Sequence, residues 1–167
     1  FVRSYKDTGL WNRFQKFMRK DGRLPVFESN PLRLEIIPAP ENVAEKMKIM
    51  PGDPVIRCLR DMSDNGERTG VDVAYLNLAT FRDLKIEDLE DVKGNLYKLY
   101  EEKLGVFIAD VTDILEFVIV DKEIQKICDL PLGTPLFFVT RQSRLLNKKT
   151  VEIRYEYCSA VNYRLRI

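Results

Sequence analysis

Residues 55–77 read VIRCLRDMSDNGERTGVDVAYLN, and their pattern decides the fold. Apolar residues recur at every second position on both sides of Asp64-Asn65-Gly66. Asn-Gly between two alternating runs is the strongest short-range signal for a β-hairpin. On the first strand Ile56, Cys58, Arg60 and Met62 share one face, because side chains alternate across a strand. Three of these are apolar, so the face is expected to be buried. Arg60 then needs a partner, since a buried unpaired charge costs on the order of several kcal/mol. Two partners are open: an internal carboxylate, or an anionic ligand in a pocket that Arg60 lines.

The flanking sequence adds strands and short helices. Residues 31–37 alternate as a strand, with Leu32, Leu34 and Ile36 on one face, and Pro38 and Pro40 end it. Asn42 is expected to cap a short helix running to Met47. Pro51-Gly52-Asp53-Pro54 turns the chain into the hairpin. Residues 79–92 are polar and weakly patterned, predicted as a connection with at most a turn or two of helix. Asn95 then precedes Leu96, Tyr97, Leu99, Tyr100 and Leu104, a helical stripe closed by Gly105. Asn95 is a good N-cap, and free N–H groups at such a start suit an anion, although every helix needs a cap. Residues 114–120 (ILEFVIV) are predicted to form a central strand. Asp121 caps a short helix to Cys128, and residues 136–146 and 150–158 form two strands around the tip Asn147-Lys148-Lys149. On the second of these, Val151, Ile153, Tyr155 and Tyr157 share one face, and Glu152, Arg154 and Glu156 the other. Near the start, Leu10, Phe14, Phe17 and Met18 make a helical stripe over residues 8–22 that stops at Gly22. Arg13 sits beside it, either as a solvated helix residue or as part of a site.

One segment echoes another. MKIMPGDPVIRCLR from Met47 and CDLPLGTPLFFVTR from Cys128 align without gaps, matching Gly52 with Gly133, Pro54 with Pro135 and Arg60 with Arg141. Each reads as a short helix, a Gly-x-Pro turn and a strand. Two such units predict an α+β fold: one antiparallel sheet of about six strands, helices mainly on one face, and an internal pseudo-twofold repeat.

Composition narrows the chemistry. A chain of 167 residues is expected to form a single domain, residues 1–167. The net charge of +1 supplies no global field towards nucleic acid or an anionic membrane. No apolar run reaches the roughly 18 residues that span a bilayer. Three scattered cysteines without a CxxC read as reduced core thiols of a cytoplasmic protein. The chain has no histidine, which removes His-based triads, the usual zinc sites and the commonest general base. Neither a metal nor another cofactor is expected.

The order of these features resembles the UTRA effector-binding domain of HutC-type GntR transcriptional regulators, a chorismate lyase-like fold. Phe1-Val2 resembles the end of the linker that follows the family's winged helix-turn-helix domain, which this chain is expected to lack. Residues 13–22 resemble the family's first helix. Residues 47–55 resemble L-x-[LIV]-x-x-G-x-P-V, and residues 60–76 resemble R-x-R-x-x-D-G-x-P-x-x-x-E-x-x-Y-L. Asn95-Leu96-Tyr97 with Gly105 resembles S-L-Y-x-x-L-x-x-x-x-G, and Val151-Glu152 resembles the V-E of the last hairpin.

The resemblance implies a homodimeric sensor, not an enzyme, whose small anionic effector alters DNA binding by a separate domain, with no membrane partner. It implies effector-binding roles for Arg60 (anion), Asp72 (ligand hydroxyl or amine), Asn95, Tyr97, Glu152 and Arg13. The bland counterparts are an Arg60–Asp72 or Arg57–Asp72 pair, a core Tyr97 and a solvated Glu152. Met62 replaces the second arginine of R-x-R, Cys158 replaces a common tyrosine, and residues 159–163 depart from R-G-D-R-Y. A dimerisation-only module, or a lyase-like enzyme using Arg60 and Glu152, is the alternative. Arg60→Ala is expected to abolish effector binding in a folded domain; unfolding instead would mark a structural ion pair.

Overall fold

The computed structural model describes residues 17–90 and 95–165. In chain order the elements are β1 (Phe17–Arg19), β2 (Phe27–Pro38), α1 (Glu41–Met47), β3 (Pro54–Asp64), β4 (Glu67–Asn77), α2 (Leu78–Phe81), α3 (Ile86–Glu90), α4 (Leu96–Leu104), β5 (Asp110–Ile119), α5 (Lys122–Cys128), β6 (Pro135–Arg144), β7 (Thr150–Ser159) and β8 (Tyr163–Leu165). Six strands form one antiparallel sheet in the order β2-β3-β4-β7-β6-β5, and β1 pairs with β8 as a separate ribbon.

The hairpin forms as its turn residues require. Asn65 and Gly66 both take positive φ (54° and 78°), the combination a two-residue hairpin loop needs. Its buried face is the expected one: Ile56, Cys58, Arg60 and Met62 are all buried. Ile56 and Cys58 join Ala74, Leu76, Phe81, Leu96, Tyr97 and Tyr100 in a core under α2, α3 and α4. On the opposite face, Val55 and Ile153 pack against Val43, Ala44 and Met47 of α1, while Val71 and Leu136 pack beside Cys128 of α5. Three of the five helices among the described residues thus lie on one side of the sheet.

Three local readings differ from the structure. Residues 114–119 belong to β5, an edge strand and not a central one, and Val120 follows it. A continuous apolar run reads the same whether both faces are covered or the strand is left at an edge. The central strands are β4 and β7. The second difference is that Phe17–Arg19 is a strand, where the apolar spacing suggested helix. It pairs with the last strand, Phe17 opposite Leu165 and Arg19 opposite Tyr163, and such a long-range partner leaves no periodic trace. Phe17 packs edge-on against Phe27, ring centroids 6.0 Å apart. Third, α1 is capped at Pro40, whose φ of −57° suits a helix start; Asn42 lies inside the helix and donates to Tyr155 Oη at 2.9 Å.

The two echoed segments share local conformation. Lys48 and Asp129 end α1 and α5 in the left-handed region, φ 58° and 50°. Gly52 and Gly133 follow at 88° and 81°. Ala39 N–H donates to Asp53 O (2.8 Å) as Val120 N–H donates to Thr134 O (2.9 Å). No helix among the described residues is long and apolar enough to cross a membrane.

Candidate functional site

Strand register gathers charge on one face of the sheet. Arg60 of β3 lies opposite Asp72 of β4, which lies opposite Glu156 of β7. One row along, Ala74 faces Arg154, Arg154 faces Arg141 of β6, and Arg141 faces Asp113 of β5. A third row brings Leu76, Glu152 and Ser143 together. These positions differ by two along each strand, so all point to the side that α4 covers.

The charges are buried and interlocked. Arg60 makes a two-pronged contact with Asp72, Nε to Oδ1 at 3.0 Å and Nη2 to Oδ2. Arg141 holds Asp113 in the same fork geometry at 2.7 and 2.9 Å. Arg154 donates from Nε to Glu152 Oε1 at 2.5 Å, and its Nη1 lies 3.5 Å from Glu156. Three guanidiniums thus meet four carboxylates: Asp72, Asp113, Glu152 and Glu156. Residues this deep are tolerated when each charge finds a partner.

Glu152 and Arg154 are matched incompletely. Arg154 Nη2 touches the same Glu152 Oε1 without hydrogen-bond geometry. Glu152 Oε2, Arg154 Nη2 and the Tyr100 hydroxyl are buried atoms with no hydrogen-bond partner. Glu152 is entirely shielded from solvent. Helix α4 closes over this place. Arg154 lies 5.1 Å from the centre of the Tyr97 ring, a cation–π contact, and Tyr97 Oη is 3.0 Å from Ser143 Oγ. Burial and the nearby Glu152 charge raise the pKa of both tyrosines, so both hydroxyls stay protonated.

The six sequence candidates divide. Asp72 and Arg60 take each other as partners, the internal-carboxylate outcome for Arg60. Tyr97 is core and also reaches Ser143. Glu152 is buried, not a solvated strand residue, and sits at the incompletely matched place. Asn95 caps α4, accepting from Lys98 N–H at 3.2 Å. Arg13 lies outside the described residues. Sequence reasoning missed Arg154, Asp113, Glu156 and Tyr100 as members of one cluster. The available signal was the alternation Glu152, Arg154, Glu156 on a strand whose other face is apolar, together with Arg141 at the position matching Arg60.

A surface cleft of about 480 Å³ lies elsewhere, lined by Arg82, Asp83, Lys85, Asp88, Lys103 and Leu104. It shares no residue with the charged belt, and Asp88 within it is already held by Lys103 and by the Lys85 N–H. Among the described residues no group of histidine, cysteine or carboxylate side chains is arranged to hold a metal.

Comparison with known proteins assigns the fold. Residues 26–164 match the family model described as the UTRA domain. One curated relative is an HTH-type transcriptional regulator, YurK of Bacillus subtilis (strain 168), 24% identical over 148 residues that make up 89% of this chain and 57% of YurK. This chain therefore spans little more than half the length of that relative. The ligand-binding domain assigned to a GntR-family regulator of Bordetella bronchiseptica superposes with a TM-score of 0.84 at 27% identity, covering 93% of this chain and 96% of that one. PhnF of Mycobacterium smegmatis shares the fold, with a TM-score of 0.68 at 18% identity over 81% of this chain and 59% of PhnF. The expected chorismate lyase-like α+β architecture is the one observed. With its antiparallel sheet, its α4-covered charged face and a family match over most of its length, this chain belongs to the UTRA domain family of GntR-type transcriptional regulators.

Proposed function

We propose that this chain is the effector-sensing half of a transcriptional regulator. A small metabolite binds where α4 meets the charged belt and alters DNA binding by a separate winged-helix domain of a homodimer. One observation carries this: Glu152 Oε2 and the Tyr100 hydroxyl both lie buried without a hydrogen-bond partner, beside an Arg154 Nη2 that Glu152 Oε1 holds only as an ion pair. Buried polar atoms in folded proteins nearly always have partners. A ligand carrying an anionic oxygen and a hydroxyl or amine supplies an acceptor and a donor together. Arg60 and Asp72 then act as a fixed ion pair that backs the site, and Tyr97 orients Arg154. The effector works by population shift: it must bind the DNA-competent and DNA-incompetent states with unequal affinity.

The test is a thermal-shift screen of this chain against hydroxylated and amino-substituted acids and sugar phosphates. A binder at 100 times its Kd is expected to add about 2.7 kcal/mol, or about 5–11 °C for a domain of this size. Glu152→Gln is expected to remove that shift. Absence of any shift across a broad panel contradicts the sensor role and favours a dimerisation-only module.

A further inference from the structure

The charged belt is not electrically balanced. Among the described residues it sets the guanidiniums of Arg60, Arg141 and Arg154 against the carboxylates of Asp72, Asp113, Glu152 and Glu156. Asp72 and Asp113 each take one whole arginine fork. Arg154 serves two acids. Its Nε and Nη2 converge on Glu152 Oε1, while its Nη1 stands 3.5 Å from Glu156. Glu156 also has Arg141 Nη1 at 4.0 Å, and its side chain is 12% exposed, so water shares its charge. Glu152 has no such relief: it is fully shielded, and Oε2 has no partner. The surplus negative charge is thus least compensated at Glu152 Oε2. A carboxylate oxygen buried in this way is costly, and the low dielectric around it strengthens its attraction to any cation that arrives.

We propose that the effector presents a protonated amine, seated at Glu152 Oε2 and the Tyr100 hydroxyl under α4. This rests on the sensor reading above, which leaves the ligand's donor open between a hydroxyl and an amine. Charge favours the amine. A hydroxyl would fill the hydrogen bond and leave the surplus charge, whereas an ammonium supplies the missing positive charge with a charge-assisted hydrogen bond. Donor count agrees. An ammonium has several N–H donors and no acceptor, and Glu152 Oε2 and the Tyr100 oxygen can both accept. Tyr100 stands close enough to Glu152 for that charge to raise its pKa, so the two acceptors adjoin. Ser143, opposite Glu152 on β6, adds a third hydroxyl oxygen. The surroundings are aromatic as well. The Tyr97 and Tyr100 rings lie 5.9 Å apart, and Tyr100 and Phe81 4.6 Å apart. Ring faces attract cations, and Arg154 already lies 5.1 Å from the Tyr97 centroid. A ligand whose only polar group is an anion would enlarge the surplus instead of cancelling it.

Calorimetric titration of this chain at neutral pH tests the class with matched probes that differ only in amine or hydroxyl. The pairs are amino acids with their α-hydroxy acids, amino sugars with the parent sugars, and alkylamines with the corresponding alcohols. They are run beside the acids and sugar phosphates of the screen above. An amine is expected to bind at least about 100-fold more tightly than its hydroxyl counterpart. Glu152→Gln keeps the shape and removes the charge; it is expected to raise the Kd of that amine at least about 100-fold with far-UV circular dichroism unchanged. Binding of hydroxyl or purely anionic compounds with no preference for an amine overturns the proposal and leaves the sensor reading standing. Binding of nothing in the combined panel overturns both. Unchanged amine affinity in a folded Glu152→Gln chain overturns Glu152 as the seat. Should that variant fail to fold, the matched pairs on the wild-type chain decide.

Discussion

Replacing Arg60 by methionine separates a structural arginine from a ligand-holding one. The Arg60 and Asp72 side chains are only 4% and 1% exposed, and the guanidinium grips the carboxylate with two prongs. Arg60→Met fills most of the volume but leaves the Asp72 carboxylate buried without its counter-ion. Breaking one side of such a pair costs about 3–5 kcal/mol. A domain of this size loses about 2–4 °C per kcal/mol, so the melting temperature is expected to fall by about 6–20 °C. Total stability is typically about 5–15 kcal/mol, so the variant still folds at room temperature when the parent is not marginal. The double variant Arg60→Met/Asp72→Leu removes both charges and is expected to recover most of the loss, since an apolar replacement of a buried pair is close to neutral. Urea unfolding followed by circular dichroism, run as a double-mutant cycle, measures both quantities. A loss below about 1 kcal/mol for Arg60→Met, the range of an exposed pair, refutes the argument. So does a double variant as unstable as the sum of the single ones. A stable Arg60→Met domain that no longer binds effector would instead return Arg60 to the ligand.

Further expectations follow from single contacts. Tyr97→Phe loses the hydrogen bond to Ser143 and is expected to cost about 0.5–1.5 kcal/mol, whereas Tyr100→Phe removes a hydroxyl that has no partner and is expected to be neutral or stabilising. A Tyr100→Phe loss above about 1 kcal/mol in urea titrations would show that the hydroxyl is used. Gly70→Ala places a Cβ 1.8 Å from the Tyr157 carbonyl oxygen on the adjoining central strand. Backbone cannot give way there, and the cost is expected at or above the top of the usual overpacking range of about 1–3 kcal/mol. Cys58, Cys128 and Cys158 are all buried, and burial pushes the Cys58 thiol up to about 12. At pH 8 the folded chain is expected to release no thionitrobenzoate from Ellman's reagent until denaturant is added; prompt reaction of any thiol contradicts the packing.

Much of the layout is legible in the sequence, because it is encoded locally. Alternation on both sides of Asn65-Gly66 specifies β3 and β4. Asn95, the stripe from Leu96 to Leu104 and Gly105 specify α4, which runs between those caps. Asp121 caps α5 through Glu123 and Ile124 N–H groups as expected. What the sequence hides is which strand neighbours which. The pairing of Phe17–Arg19 with Tyr163–Leu165 joins opposite ends of the described chain, and the edge position of β5 depends on what is not beside it. The site follows the same division. Arg60 stands out because a lone charge on an apolar face is visible in one strand. The belt of Arg60, Asp72, Arg141, Asp113, Arg154, Glu152 and Glu156 is visible only once four strands are in register.

The most direct test of the sensor account is electron density from this chain crystallised with a metabolite that raises its melting temperature. The account places the ligand under α4, within hydrogen-bond distance of Glu152 Oε2 or Arg154 Nη2, with Tyr97 and Tyr100 against it and the Arg60–Asp72 pair intact. Density elsewhere, for example in the cleft between Arg82 and Lys103, with Glu152 and Arg154 unchanged, would contradict it.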